Sequence, residues 1–265
     1  MCRLFGYVAR KPVMIDQPLG GIFDALIEVS HFHKDGWGLA WYDEKDTVHL
    51  SRAPEAAYIG SKFSSLIHSV YTDTCISHVR WATAGFPLCD VNTHPFTNGK
   101  FAFAHNGAIS PSETLETLIA PHFRNMIEGT TDSERYFLAL LSAFNQASSP
   151  IEAFRTLLHS IHQQVRSSSL NCLLLTPDAL YALNDYDVDA PLAQKEPDYF
   201  HLHYRVSPEE VMIGSTGLGK DDGWKKLDNG QLLIVERGTL KVTVLTISQG
   251  LRKPLSDEYK STLQR

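Results

Sequence analysis

The sequence predicts a layered α+β sandwich, with antiparallel sheets packed face to face and covered by helices. Two observations carry that prediction. Short apolar or alternating runs come in groups, and the segments with helical spacing lie between the groups instead of separating every strand from the next. Strict alternation of strand and helix would have pointed to a parallel sheet, whereas grouped strands with amphipathic helices point to stacked layers. A third observation sets the scale: 265 residues, 43% of them hydrophobic, can bury a sizeable core as one large domain spanning residues 1–265.

In chain order, the apolar run at residues 4–9 is the first expected strand, and the spacing at 22–29 fits a helix. Strands are expected at 37–42, 74–79 and 101–104. Helical periodicity then covers 112–126, 133–147 and 151–164, the first two opening on residue types that cap helices. Further strands are expected at 172–176, 180–183, 211–213, 232–235 and 240–247. No internal repeat or low-complexity tract interrupts this order, and the Pro, Gly and Ser clusters are short enough to be turns.

Charge and composition exclude several function classes. A formal net charge of -6, with Lys and Arg scattered, leaves no basic footprint for nucleic acid. The first residues lack the basic and apolar regions of a signal peptide, and no run could span a bilayer, so a soluble, cytoplasmic protein is expected. Cys2, Cys75, Cys89 and Cys172 are too far apart for a C-x-x-C motif and read as reduced thiols, with Cys75 and Cys172 in apolar, buried runs.

The informative cysteine is Cys2. Removal of Met1 would leave a thiol and a free α-amino group on one residue, and an α-amine titrates at about 7.7–8.0, near enough to neutrality to serve as the base. Alone, a Cys in this position is more often a small hydrophobe. Further segments supply the groups that hydrolysis of a γ-glutamyl amide requires. Arg80, at the end of an expected strand, could grip a carboxylate bidentately, and Thr83 could help position it. Asn106 and Gly107 offer a side-chain amide and a backbone N–H side by side, as an oxyanion hole needs. The same Asn-Gly pair is equally the signal of a type I′ hairpin. Asp132 could accept hydrogen bonds from an ammonium, or simply cap the helix that follows.

Taken together, Cys2-Arg3-Leu4-Phe5-Gly6, His78-Val79-Arg80-Trp81-Ala82-Thr83, Asn92-Thr93-His94-Pro95-Phe96, His105-Asn106-Gly107 and Thr131-Asp132-Ser133-Glu134 resemble the class II glutamine amidotransferases of the N-terminal-nucleophile (Ntn) hydrolase superfamily. The resemblance implies a four-layer αββα sandwich of two antiparallel sheets. It implies Cys2 as nucleophile, Arg80 and Asp132 as holders of the glutamyl carboxylate and ammonium, Asn106 and Gly107 as the oxyanion hole, and Trp81 and Thr83 as pocket lining. The segment His31-Phe32-His33-Lys34-Asp35-Gly36-Trp37-Gly38 is similar to the H-x-D-G-W-G segment of the stand-alone branch, which includes the γ-glutamyl hydrolase of ergothioneine biosynthesis. The expected substrate is a small γ-glutamyl compound, with glutamine as the default, and the expected cofactor set is empty. With no synthase domain in view, any ammonia acceptor would be a partner protein. The competing function is a catalytically silent or partner-activated regulatory subunit. An apolar amide such as a bile salt or penicillin is disfavoured, because it needs no Arg80/Asp132 clamp.

Three other signals are weaker. Gly214-Ser215-Thr216-Gly217-Leu218-Gly219-Lys220-Asp221 nearly spells a phosphate-binding loop, but Asp221 stands where a Ser or Thr would bind magnesium. The pairs His31/His33 and His201/His203 lack a Cys or Glu to complete a metal site, so no metal is expected. His94 and His105 are read as groups that order the loops around the thiol.

Overall fold

The computed structural model describes residues 2–19, 21–82, 87–217 and 223–248. The elements run β1 (Arg3–Met14), α1 (Asp16–Leu19), α2 (Gly21–Ser30), β2 (Gly36–Tyr42), β3 (Val48–Ala53), α3 (Ser61–Ile67), β4 (Tyr71–Arg80), β5 (Phe96–Thr97), β6 (Ala102–Asn106) and β7 (Ile109–Ser110). They continue with α4 (Glu113–Glu116), α5 (Pro121–Arg124), α6 (Asp132–Gln146), α7 (Pro150–Gln164), β8 (Arg166–Ser167), β9 (Asn171–Leu175), β10 (Ala179–Asn184) and α8 (Pro191–Lys195). The chain then forms β11 (Leu202–Val206), β12 (Glu210–Ser215), β13 (Lys225–Leu227), β14 (Gln231–Glu236) and β15 (Val242–Thr246).

Among the described residues, seven strands form one sheet in the order β13-β11-β12-β1-β4-β2-β3, and six form a second in the order β15-β14-β10-β9-β6-β5. Their pairings are antiparallel. Alternation along β1 shows how the layers arise. Leu4 and Val8 enter a core shared with Ala102, Leu173 and Leu180 of the second sheet, while Phe5, Tyr7 and Ala9 enter a core shared with Ile22 and Leu26 of α2 and Phe63 of α3. A third core joins Phe103, Cys172 and Leu174 of the second sheet to α6 and α7 through Phe137, Leu141, Phe154 and Leu158. Helices, sheet, sheet and helices therefore stack as the αββα sandwich expected above. At Gly6 the sheets approach so closely that a β-carbon would lie 3.1 Å from Leu180 and 3.2 Å from Leu173.

The helix expected over residues 112–126 is broken in two, α4 and α5. Pro121 pushes Ala120 out of helical geometry, to φ -61° and ψ 145°, because its ring clashes with the preceding residue. Strands β3, β11 and β13 were not expected; their residues are polar or half-buried and lack a long apolar run. No helix among the described residues is long and apolar enough to cross a membrane.

Candidate active site

Cys2 lies just before β1, beside the closing ends of β4 and β6, so both sheets contribute to its surroundings. Its backbone N donates to Asn106 Oδ1 at 3.2 Å, and its thiol lies 3.8 Å from the Trp81 carbonyl oxygen. The start of β1 is fixed by Leu4 N, which donates to Ser215 Oγ at 3.0 Å. Burial pushes the Cys2 thiol up, opposed by a hydrogen bond from the Trp81 backbone and by the charges of Arg80 and Arg3.

Asn106 ends β6 and is 1% exposed. Its Oδ1 is taken by Cys2, while Nδ2 is buried without a partner. A buried amide donor left open costs stability unless something else compensates, so this donor marks a place where an acceptor belongs. The hairpin alternative for Asn106-Gly107 is ruled out. Strand β6 pairs with β5 and β9, β7 pairs with β8, and neither residue has the positive φ that a type I′ turn demands. Glycine is required at 107 for space: a β-carbon there would sit 2.0 Å from the Ser169 carbonyl oxygen.

Arg80 closes β4, is 4% exposed, and keeps one terminal guanidinium nitrogen buried without a partner. Asp132 opens α6, but the cap of that helix is Thr131, whose Oγ1 accepts from Glu134 N at 3.2 Å. The carboxylate of Asp132 instead accepts from Ile109 N at 2.7 Å and from Ser133 N at 2.9 Å, tying the helix start to the segment after Gly107. Oδ1 also faces Ser133 Oγ at 3.4 Å, while Oδ2 keeps a further lone pair.

Around these residues the sequence builds a frame. His105 bridges Ser133 Oγ (2.9 Å) and the Ser169 carbonyl (3.0 Å); burial lowers its pKa and the nearby Asp132 opposes that. His94 stacks on His78 at 4.2 Å and meets the edge of Phe96. Asn92 receives Thr130 N at 2.8 Å and donates to the Pro87 carbonyl, joining the two loops that flank the site. Asp35 accepts from Ala82 N at 2.9 Å, and so anchors the chain just past Trp81. Gly38 lets the His94 carbonyl come within 2.0 Å of where a β-carbon would stand. Trp81 is half exposed and meets the edge of His33 at 5.6 Å. Thr83 lies outside the described residues, as do positions 218–222 of the glycine-rich loop.

Cys2, Asn106, Gly107, Arg80, Trp81 and Asp132, far apart in sequence, are thus gathered at one end of the sandwich: a thiol, an open amide donor, an open guanidinium and a carboxylate. A model of the class-II glutamine amidotransferases matches residues 1–259. The chain belongs to that family. Within it, the chain is 27% identical over 267 residues to an uncharacterised protein of Methanocaldococcus jannaschii, covering 91% of this chain and 70% of that one. It is 23% identical over 253 residues to the γ-glutamyl-hercynylcysteine sulfoxide hydrolase of Mycolicibacterium smegmatis, covering 92% of this chain and 100% of that one. The fold matches a solved glutamine aminotransferase class-II domain protein from Silicibacter pomeroyi with a TM-score of 0.67 and 21% identity, over 94% of this chain and 100% of that one. The expected α+β sandwich of Ntn-hydrolase type is therefore the fold of this amidotransferase-family chain.

Sequence reasoning did not single out Asp35, Ser133, Ser169 or Tyr199 as parts of the site. Asp35 and Ser133 had a signal, their places in the H-x-D-G-W-G and Thr131-Asp132-Ser133-Glu134 segments; Ser169 and Tyr199 become visible only through contacts across 64 or more residues. The histidine pairs go to separate partners. His31 stacks on Tyr58, His33 lies 3.4 Å from the Tyr199 hydroxyl, and His201 lies 3.0 Å from that of Tyr186. Among the described residues no group of three or more His, Cys, Asp or Glu is arranged to hold a metal. Cys75 and Cys172 are buried as expected, with the thiol of Cys172 pushed up to about 12 by burial.

Proposed function

We propose that this amidotransferase-family enzyme hydrolyses γ-glutamyl amides, glutamine by default, through a thioester on Cys2. The observation that carries the reading is the contact of Cys2 N with Asn106 Oδ1 at 3.2 Å, with the other amide atom of Asn106 buried and open beside it. Once Met1 is removed, that nitrogen is the α-amine, and Asn106 orients it next to the thiol it deprotonates. The Cys2 sulfur adds to the γ-carbonyl carbon, and the developing oxyanion is received by Asn106 Nδ2 and the backbone N–H of Gly107. The carbon–nitrogen bond then breaks, the α-ammonium returns its proton to the leaving amine, and a γ-glutamyl thioester remains. Water, deprotonated by the same amine, adds to the thioester; the carbon–sulfur bond breaks, the thiol is restored and glutamate leaves.

In this reading Arg80 binds the α-carboxylate and Asp132 the α-ammonium of the glutamyl group, with Trp81 and Thr83 lining the pocket. Its open guanidinium nitrogen supports the role of Arg80, and the spare lone pair on Oδ2 that of Asp132. The hydrolase among the relatives supports the γ-glutamyl class of substrate. The test is glutamate release from glutamine and γ-glutamyl dipeptides by protein shown by mass spectrometry to begin at Cys2. Release that disappears with Cys2→Ala is expected, and release that persists in that variant would refute the mechanism.

A further inference from the structure

Beside Cys2 stands a second cation that the chemistry above does not use. In the β1–β4 register Arg3 lies opposite Val79, one residue out of phase with His78 and Arg80. Because successive side chains point to opposite faces, Arg3 and Arg80 occupy opposite faces of the sheet, with the nucleophile at its end between them. The Arg3 guanidinium is seated 4.1 Å from the centroid of the Tyr199 ring. Tyr199 is itself buried, and its hydroxyl lies 3.4 Å from Nε2 of His33, whose ring meets Trp81. The position over the aromatic face, together with the bond to the Tyr199 side chain, orients the planar fork and leaves Nε for another acceptor.

Those N–H groups are only partly used by the protein: one contact joins Arg3 to the Tyr199 side chain. One terminal nitrogen reaches the Cys2 carbonyl at a long 3.4 Å, and Nε is buried without a partner. No carboxylate among the described residues forms an ion pair with Arg3. A mounted, uncompensated guanidinium next to a nucleophile calls for an anion brought by the substrate. Ammonia leaving glutamine offers none. An α-amino acid as leaving group does: its carboxylate is attached one carbon from the scissile nitrogen, within reach of a group flanking the thiol.

Resting on the hydrolase reading above, we propose that Arg3, braced by Tyr199, is the specificity determinant of the leaving-group side, and that the preferred substrates are γ-glutamyl α-amino acids whose leaving amine carries a carboxylate.

The test uses Cys2→Ala protein, which binds without turnover and has no thiol for Arg3 to activate. It is titrated calorimetrically with γ-glutamyl-alanine and with γ-glutamyl-alaninamide, which differ only in the carboxylate. The acid is expected to bind about tenfold to a hundredfold more tightly, the range for a charge-assisted contact. Adding Arg3→Gln should bring the two affinities within about twofold of each other. Equal binding of acid and amide by the Cys2→Ala protein, binding of neither, or a preference that survives Arg3→Gln overturns the proposal. Glutamate release by Cys2-bearing protein reads the parent mechanism separately. A binding preference without turnover would sink the hydrolase and keep the subsite, and turnover without a preference would sink the subsite alone.

Discussion

Arg237 and Arg80 are both arginines at strand ends, and the protein treats them in opposite ways. Arg237, just past β14 of one sheet, donates to both oxygens of Asp73 at 2.8 to 3.1 Å, to Asp46 at 3.0 Å and to the Pro177 carbonyl, and lies 4.9 Å from the Tyr42 ring centroid. Tyr42 and Asp73 belong to the other sheet, so this arginine latches the two layers together at the edge of the sandwich. Arg80 is more deeply buried, yet one of its donors meets nothing. A side chain that serves the fold finds its acceptors when the chain folds. A donor that the fold leaves without an acceptor costs stability that other contacts must offset. Asn106 Nδ2 belongs with Arg80 in this respect, as does Arg3.

The contrast breaks most visibly at Asn106. Asn106→Ala is expected to lower kcat for glutamate release by about 10²- to 10³-fold, the usual cost of one oxyanion donor. Little loss in kcat would mean that the open amide is not aimed at the reacting carbonyl. Next in size, Arg80→Lys should raise KM for glutamine by about tenfold or more, because an ammonium cannot make the bidentate contact. An unchanged KM with a lowered melting temperature would move Arg80 into the company of Arg237. Conversely, Arg237→Met is expected to cost about 1–2 kcal/mol of stability in urea titrations, a figure discounted for the solvent exposure of Asp46. Activity per folded molecule should stay at the wild-type level.

How much of this was legible in the sequence follows the same division. The strands carrying the core announced themselves through continuous apolar runs such as Leu173–Leu175, and the residues gathered around Cys2 through their types at strand ends, Arg80 and Asn106 among them. Edge strands such as β3 and β13 did not, since a half-polar strand is recognisable only beside the strand that pairs with it. Helix 112–126 misled because its apolar spacing continues across Pro121, which the backbone cannot follow. Asp132 shows a subtler limit. Taken singly, the sequence favoured a helix cap there; the geometry gives the cap to Thr131 and ties Asp132 to Ile109 N instead.

The smallest effect concerns the buried histidines near Arg80. Burial drives the pKa of His78 and of His94 well below 6.5; the charge of Arg80 and the neighbouring imidazoles, His105 and His33 beside His78, His78 and His105 beside His94, push the same way, and a hydrogen bond at the His105 backbone opposes them at His78. Both rings are therefore neutral in the folded protein, whereas in the unfolded chain they take up protons near pH 6.5. Between those values the unfolded state binds more protons, so this contribution to stability is complete above about pH 6.5 and is lost as the pH falls toward the folded pKa. The melting temperature should accordingly be insensitive to these groups at pH 7.5 and decline on acidification to pH 5. In His94→Phe, which keeps a flat ring against His78 but removes one titrating group, the decline should be shallower. An identical slope in the variant would show that His94 takes up its proton at the same pH folded and unfolded, and that the loops around Asn106 are held by something other than a dry, neutral stack.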